Sequence, residues 1–162
     1  MKSRRFVDTA TLHACAGKGG DGCVSWRREK YVEKGGPDGG DGGCGGDIYF
    51  IGVEDITALK RFRFQKEFEA ENGKPGGGNR KTGASGKDLE IKISVGTVIK
   101  DIDTGDLWEM RDLGEKILIA KRGKGGRGNW HFKSSTHQTP LEFEEGKPGQ
   151  ARELYLELRL IA

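Results

Sequence analysis

No stretch of this chain sustains the 3.6-residue apolar period for three turns, which argues against a helical bundle. Cysteine is scarce: Cys15, Cys23 and Cys44 are odd in number and show no Cys-x-x-Cys spacing. Neither a disulfide framework nor a structural zinc site is therefore expected, even with His13, His131 and His137 counted as ligands. No apolar run approaches the ~20 residues of a membrane-spanning helix. The basic start, Met1-Lys2-Ser3-Arg4-Arg5-Phe6, has no apolar signal core behind it. No Gly-Lys pair is followed by Ser or Thr, so the phosphate-binding P-loop is missing. The nearest candidate, Lys81-Thr82, has Arg80 before it and Pro75 where the first glycine belongs. Cys, Ser, His and acidic residues occur, but not in a local nucleophile signature. The hydrophobic share, 33%, is low for a globular domain of 162 residues.

What the chain has instead is glycine, 28 residues of it. The stretch Gly35-Gly36-Pro37-Asp38-Gly39-Gly40-Asp41-Gly42-Gly43-Cys44-Gly45-Gly46 runs Gly-Gly-x three times from Gly39. Two glycines per triplet suit neither an α-helix nor a sheet interior, because glycine costs backbone entropy there and offers nothing to pack. A period of three does suit polyproline II, which turns once every three residues. Such a helix is bare on two sides, so other backbones can lie against it. Gly17–Gly22, Gly73–Gly86 and Gly123–Gly128 supply partners. A packed module is favoured over flexible linkers because apolar, alternating segments separate the tracts. Gly39, Gly40, Gly42, Gly43, Gly45, Gly46, Gly76, Gly77 and Gly78 are read as structural.

The segments between read as strands. Residues 6–16 alternate, with Phe6, Asp8, Ala10, Leu12, Ala14 and Ala16 on one face. Residues 47–53, 88–95, 97–103 and 116–120 follow, and Asp103-Thr104-Gly105-Asp106 reads as a hairpin turn into Leu107–Met110. Leu59–Phe68, with aromatics among Lys60, Arg61, Arg63 and Lys66, fits a short strand or one helical turn. Leu154, Leu156, Leu158 and Leu160 alternate near the end. The expected fold is mainly β: a small barrel or sandwich of strands 6–16, 47–53, 88–120 and 152–161. It carries a glycine-rich polyproline II module made of 17–46, 73–86 and 123–149, all one domain over 1–162.

Both Gly17–Gly22 and Gly123–Gly128 match Gly-x-Gly-x-x-Gly after a strand, but neither is followed by an amphipathic helix to hold a pyrophosphate. Asp38, Asp41 and Asp47 are read as acceptors of backbone N–H groups in turns rather than as cation ligands. Charge is clustered although the net charge is only +3. Lys121-Arg122-Gly123-Lys124-Gly125-Gly126-Arg127 carries cations and no acid. Arg27, Arg28, Lys30 and Lys34 surround Trp26 and Tyr31, and Lys74, Arg80, Lys81 and Lys87 stud another tract. Cations on side-chain-poor backbone suit a phosphate chain, and Trp or Tyr beside Arg suits stacking on unpaired bases.

The run Cys23-Val24-Ser25-Trp26-Arg27-Arg28-Glu29-Lys30-Tyr31, followed by the Gly35–Gly43 tract, resembles the N-terminal domain of the Obg family of GTPases. The resemblance continues through Glu69–Gly73, Val95–Val98, Gly125–Asn129, Phe132–Thr136 and Gly146–Gly149. Trp26 stands where that family usually has Phe, and Cys44 where it often has a basic residue. The resemblance implies polyproline II helices packed on a β-barrel. It also implies a role in large ribosomal subunit assembly, with the glycine-rich tip contacting ribosomal RNA in the peptidyl-transferase region. The family's GTPase domain, with its GTP and magnesium, is not in this chain, so no cofactor or metal and no enzyme activity is expected of the chain itself. The expected contact set is Arg27, Arg28, Lys30, Lys34, Asn79, Arg80, Lys81, Lys124, Arg127, Asn129 and Lys133. A monomer in the bacterial cytoplasm or an organelle matrix, off the membrane, is the accompanying expectation. The competing reading is a protein-interaction or regulatory module that docks on its own GTPase domain or on another protein.

Overall fold

The computed structural model describes residues 5–27, 35–132 and 141–161. It contains two mixed sheets around one apolar core. The larger sheet is built on β1 (Arg5–Cys15) and β8 (Ala151–Ile161), which pair antiparallel along their whole lengths, from Arg5 opposite Ile161 to Cys15 opposite Ala151. Its order is β3-β1-β8-β5-β6, with β3 at Glu67–Glu69, β5 at Thr97–Asp101 and β6 at Leu107–Glu109. The smaller sheet runs β4-β2-β7, with β2 at Ile48–Val53, β4 at Leu89–Ser94 and β7 at Lys116–Ala120.

Alternation decides which side chains face inward. Leu12 and Ala14 of β1, and Leu154, Leu156 and Leu158 of β8, are buried, while Thr9 and Thr11 are exposed. From the smaller sheet, Ile48, Phe50, Ile91, Ile93 and Ile119 complete the same core. Burying a side chain of this size contributes about 1.5–3 kcal/mol, so the core supplies most of the driving force. Asp103–Asp106 makes the expected turn between β5 and β6, with Gly105 at φ +80° and the Asp101 carboxylate accepting the Asp103 and Thr104 N–H groups.

Two expectations are corrected. The sheets do not close into a barrel. The margins of the larger sheet, β3 and β6, are three residues each, too short to carry the ladder round to β4 and β7, and short edges also discourage pairing with other chains. The strand expected over 97–103 stops at Asp101, whose side chain turns back to cap the hairpin. Leu59–Phe68 contains both of its proposed forms: a 3-10 turn at Ala58–Arg63, then β3.

The glycine tracts leave one end of the sheets as extended backbone in neither helix nor strand. The tract at 39–46 makes its hydrogen bonds in steps of three. Gly42 and Gly45 donate to the carbonyls of Gly126 and Gly123, at 2.9 and 3.0 Å. Gly40, Gly43 and Gly46 donate to those of Gly77, Lys74 and Glu71, at 2.8–2.9 Å. The 17–23 tract is equally central: Gly20 donates to Gly43, Gly19 to Lys147 and Gly22 to Glu144. It accepts from Gly73 through Lys18 and from Gly126 through Gly20. A three-residue step in both donor and acceptor is the signature of packed polyproline-type helices.

Absence of a Cβ is what permits this packing. A Cβ on Gly42 would lie 1.8 Å from the Gly20 carbonyl oxygen, and one on Gly125 the same distance from that of Gly42. Gly43 and Gly76 are closed in the same way, each within 2.2 Å of a carbonyl oxygen. Gly77 and Gly78 differ, since the nearest atoms to a Cβ there are side-chain atoms at 3.6 and 3.0 Å.

Candidate nucleic-acid interface

Aspartates tie the glycine tracts to one another along the bundle. Asp38 accepts the Asn79 N–H through its side chain at 3.0 Å and the Arg80 N–H through its carbonyl at 2.6 Å. Asn79 and Arg80 consequently both sit at φ +57°, a left-handed conformation that side chains other than glycine rarely adopt. Asp41 Oδ1 accepts the Gly128 N–H at 3.0 Å and lies 2.7 Å from His131 Nε2. Asp47 Oδ1 takes the Arg122 N–H at 2.7 Å. These aspartates staple tracts that lie far apart in sequence.

The turns bring together residues that no local pattern connects. Arg27, Pro37, Asp38, Asn79, Arg80 and Trp130 line an open cleft of about 420 Å³. The Arg80 guanidinium lies 4.9 Å from the centre of the Trp130 ring, and His131 stacks on that ring at 3.9 Å. The cleft thus offers cations, a side-chain amide and aromatic surface on a backbone frame with little freedom to reorganise.

The expected contact residues are distributed unequally. Arg27, Asn79 and Arg80 line the cleft, and Lys81 is exposed next to it. Arg127 is exposed, but its guanidinium is paired with the Glu144 carboxylate and lies 5.2 Å from the centre of the Phe132 ring. Lys124 is exposed one bundle turn further back. Asn129 does not face outward at all: it is fully buried, its Oδ1 accepts the Gly39 N–H at 2.7 Å and its Nδ2 donates to the Ser25 carbonyl at 3.1 Å. Arg28, Lys30, Lys34 and Lys133 lie outside the described residues. Trp130 escaped the sequence reading because nothing in its neighbourhood distinguishes it from a core aromatic.

Among the described residues, no three His, Cys, Asp or Glu side chains gather as a metal site requires, and the three cysteines are free. No helix among the described residues is long and apolar enough to cross a membrane. Among the described residues, Gly123–Gly128 is followed directly by the 3-10 turn Asn129–Phe132 and neither glycine hexad opens an α-helix.

A mainly β platform bearing a polyproline-type bundle is the architecture on which comparison with known proteins can be laid. Residues 7–160 match the family model GTP1/OBG. The chain is 53% identical to the GTPase Obg of Persephonella marina, over 98% of this chain and 47% of that protein. It is 49% identical to the GTPase Obg of Acidithiobacillus ferrooxidans, over 98% of this chain and 42% of that protein. The GTPase Obg of Flavobacterium johnsoniae is 47% identical over 100% of this chain and 49% of its own length. The chain therefore belongs to the GTP1/OBG family, and it represents the N-terminal domain of an Obg-family protein. It spans less than half the length of these curated relatives.

Proposed function

We propose that this chain is the ribosomal-RNA-docking domain of an Obg-type GTPase acting in large ribosomal subunit assembly. Its bundle tip would reach the peptidyl-transferase region. The observation that carries the reading is the tip cleft, where Arg27 and Arg80 stand beside Trp130 and Asn79. Guanidinium groups take phosphate bidentately, and an indole takes an unpaired base by stacking. A bundle closed by backbone contacts loses little entropy on docking, which favours binding by a rigid probe. GTP and magnesium belong, in this reading, to the part of the full-length protein outside this chain. The chain itself performs no chemistry. A monomer in the bacterial cytoplasm follows from the same reading.

The test is binding to isolated large ribosomal subunits across a salt series, beside the variant Arg80→Ala/Lys81→Ala/Lys124→Ala/Arg127→Ala. Each released phosphate contact contributes about 0.7–0.9 to the slope of log affinity against log salt. The variant should lose roughly two to three units of slope, with Arg127 contributing least because of its pairing with Glu144. Salt-insensitive binding, or binding equal in the variant, would overturn RNA docking and favour a module that docks on protein.

A further inference from the structure

The 3-10 turn on the platform carries a feature that the tip does not explain. Phe64, which ends the turn, is 94% exposed. Lys60, Arg61, Arg63 and Lys66 surround it, with no acid between positions 60 and 66. The backbone beneath is fixed. Leu59 and Phe62 are buried, Phe62 meets Phe68 edge to face at 5.6 Å, and the His13 N–H donates to the Lys66 carbonyl at 2.7 Å. The Arg61 guanidinium lies near both buried rings, 5.3 and 5.4 Å from their centres. Among the described residues, the patch's only ion pair is the loose one between Arg63 Nη2 and Asp8 Oδ1, at 3.9 Å. Arg63, the residue before Phe64, joins Lys66, Thr9, Thr11, Tyr155 and Phe62 in lining a shallow groove of about 200 Å³ with no carboxylate among its lining residues.

We infer that this patch is a second contact site for unpaired RNA, with a phosphate in the groove and a base on Phe64. The groove presents two cations and three hydroxyls, a donor set that suits phosphate oxygens. A fully exposed ring on an anchored turn offers a stacking face at almost no ordering cost, and stacking requires a base that is not paired. The site stands apart from the tip: nine residues at ~3.1 Å each separate Ala70 from Asn79, roughly 28 Å along the bundle. It therefore takes a different stretch of RNA from the one at the tip, and does not rest on the tip reading.

The test measures anisotropy of a labelled single-stranded oligouridylate with the chain, in the background of the four-fold tip variant described above. Binding should persist there, exceed binding to an RNA duplex, and fall about five-fold or more with Phe64→Ala. Arg63→Ala/Lys66→Ala should lower the salt slope by about 1.4, two cations at ~0.7 each on single strands. The thermal melt of Phe64→Ala should match the parent's, since that side chain is exposed, and that of Arg63→Ala/Lys66→Ala should fall only by what the loose Arg63–Asp8 pair contributes. The inference is overturned if the tip variant no longer binds the oligouridylate, if Phe64→Ala leaves its affinity unchanged, or if an oligoglutamate competes as well as RNA does. Failure of the tip variant to weaken ribosome binding would leave this result standing.

Discussion

Asn129 Oδ1 accepts the Gly39 N–H at 2.7 Å and so continues a backbone ladder with a side chain. One and two turns down, the carbonyls of Gly126 and Gly123 accept from Gly42 and Gly45 in the same sense. At Asn129 the chain leaves the bundle for the 3-10 turn, and the amide oxygen stands in for the carbonyl that has moved away. Asn129→Ala should leave the buried Gly39 N–H unpaired, at a cost of about 1–3 kcal/mol. Urea unfolding followed by circular dichroism measures it. A midpoint equal to the parent's would refute the stand-in.

Glycine is required by contact at some positions and not at others. Gly42→Ala and Gly125→Ala drive a Cβ into a backbone carbonyl and should cost about 3 kcal/mol or more, or prevent folding. Gly77→Ala meets only the Lys81 Cβ at 3.6 Å and should change stability by less than about 0.5 kcal/mol. Parallel thermal melts compare them. Equal effects at Gly42 and Gly77 would mean that backbone contact is not the constraint.

Arg80 occupies a left-handed backbone conformation that favours glycine. Its φ of +57° strains any residue with a Cβ by about 1–2 kcal/mol. Arg80→Gly should therefore be more stable than Arg80→Ala by about 1 kcal/mol, while both lose the same affinity for large subunits. Melting curves and binding isotherms on the two variants separate the effects. A less stable glycine variant would contradict the strain.

The hairpin between β5 and β6 carries a pH signature. The Asp101 carboxyl is held below its ordinary pKa, chiefly by the Thr104 N–H, and also by Arg152 and the Asp103 N–H. Arg152 Nη1 reaches Asp101 at 2.7 Å and Asp106 at 3.1 Å, and its Nε donates to the Ile119 carbonyl. A carboxyl lowered in the folded state stabilises above its unfolded value, about 3.9, and that contribution is lost as pH falls through the folded value. Asp101→Asn keeps the shape and removes the charge. The gap between it and the parent, about 1–3 kcal/mol at pH 7, should hold at pH 5 and narrow below about pH 4. A gap constant down to pH 3 would show that the charge is not what stabilises.

Most of the strands, the three-residue period of the central tract and membership of the GTP1/OBG family were legible in the order of the residues. These are local properties: alternation at Leu154, Leu156 and Leu158 states which face is buried, and Gly-Gly-x states which sides of a helix are bare. What those sides meet was settled by the packing of the tracts against one another. It made Gly76 indispensable and Gly77 free, buried Asn129 that had read as a contact residue, and left the sheets open where a barrel or a sandwich was expected. It also brought Arg27, Arg80 and Trp130 to one cleft. All depend on neighbours tens of residues away in the chain, and for the glycines and Asn129 on which backbone group lies against which, so no spacing within a single tract carries that information.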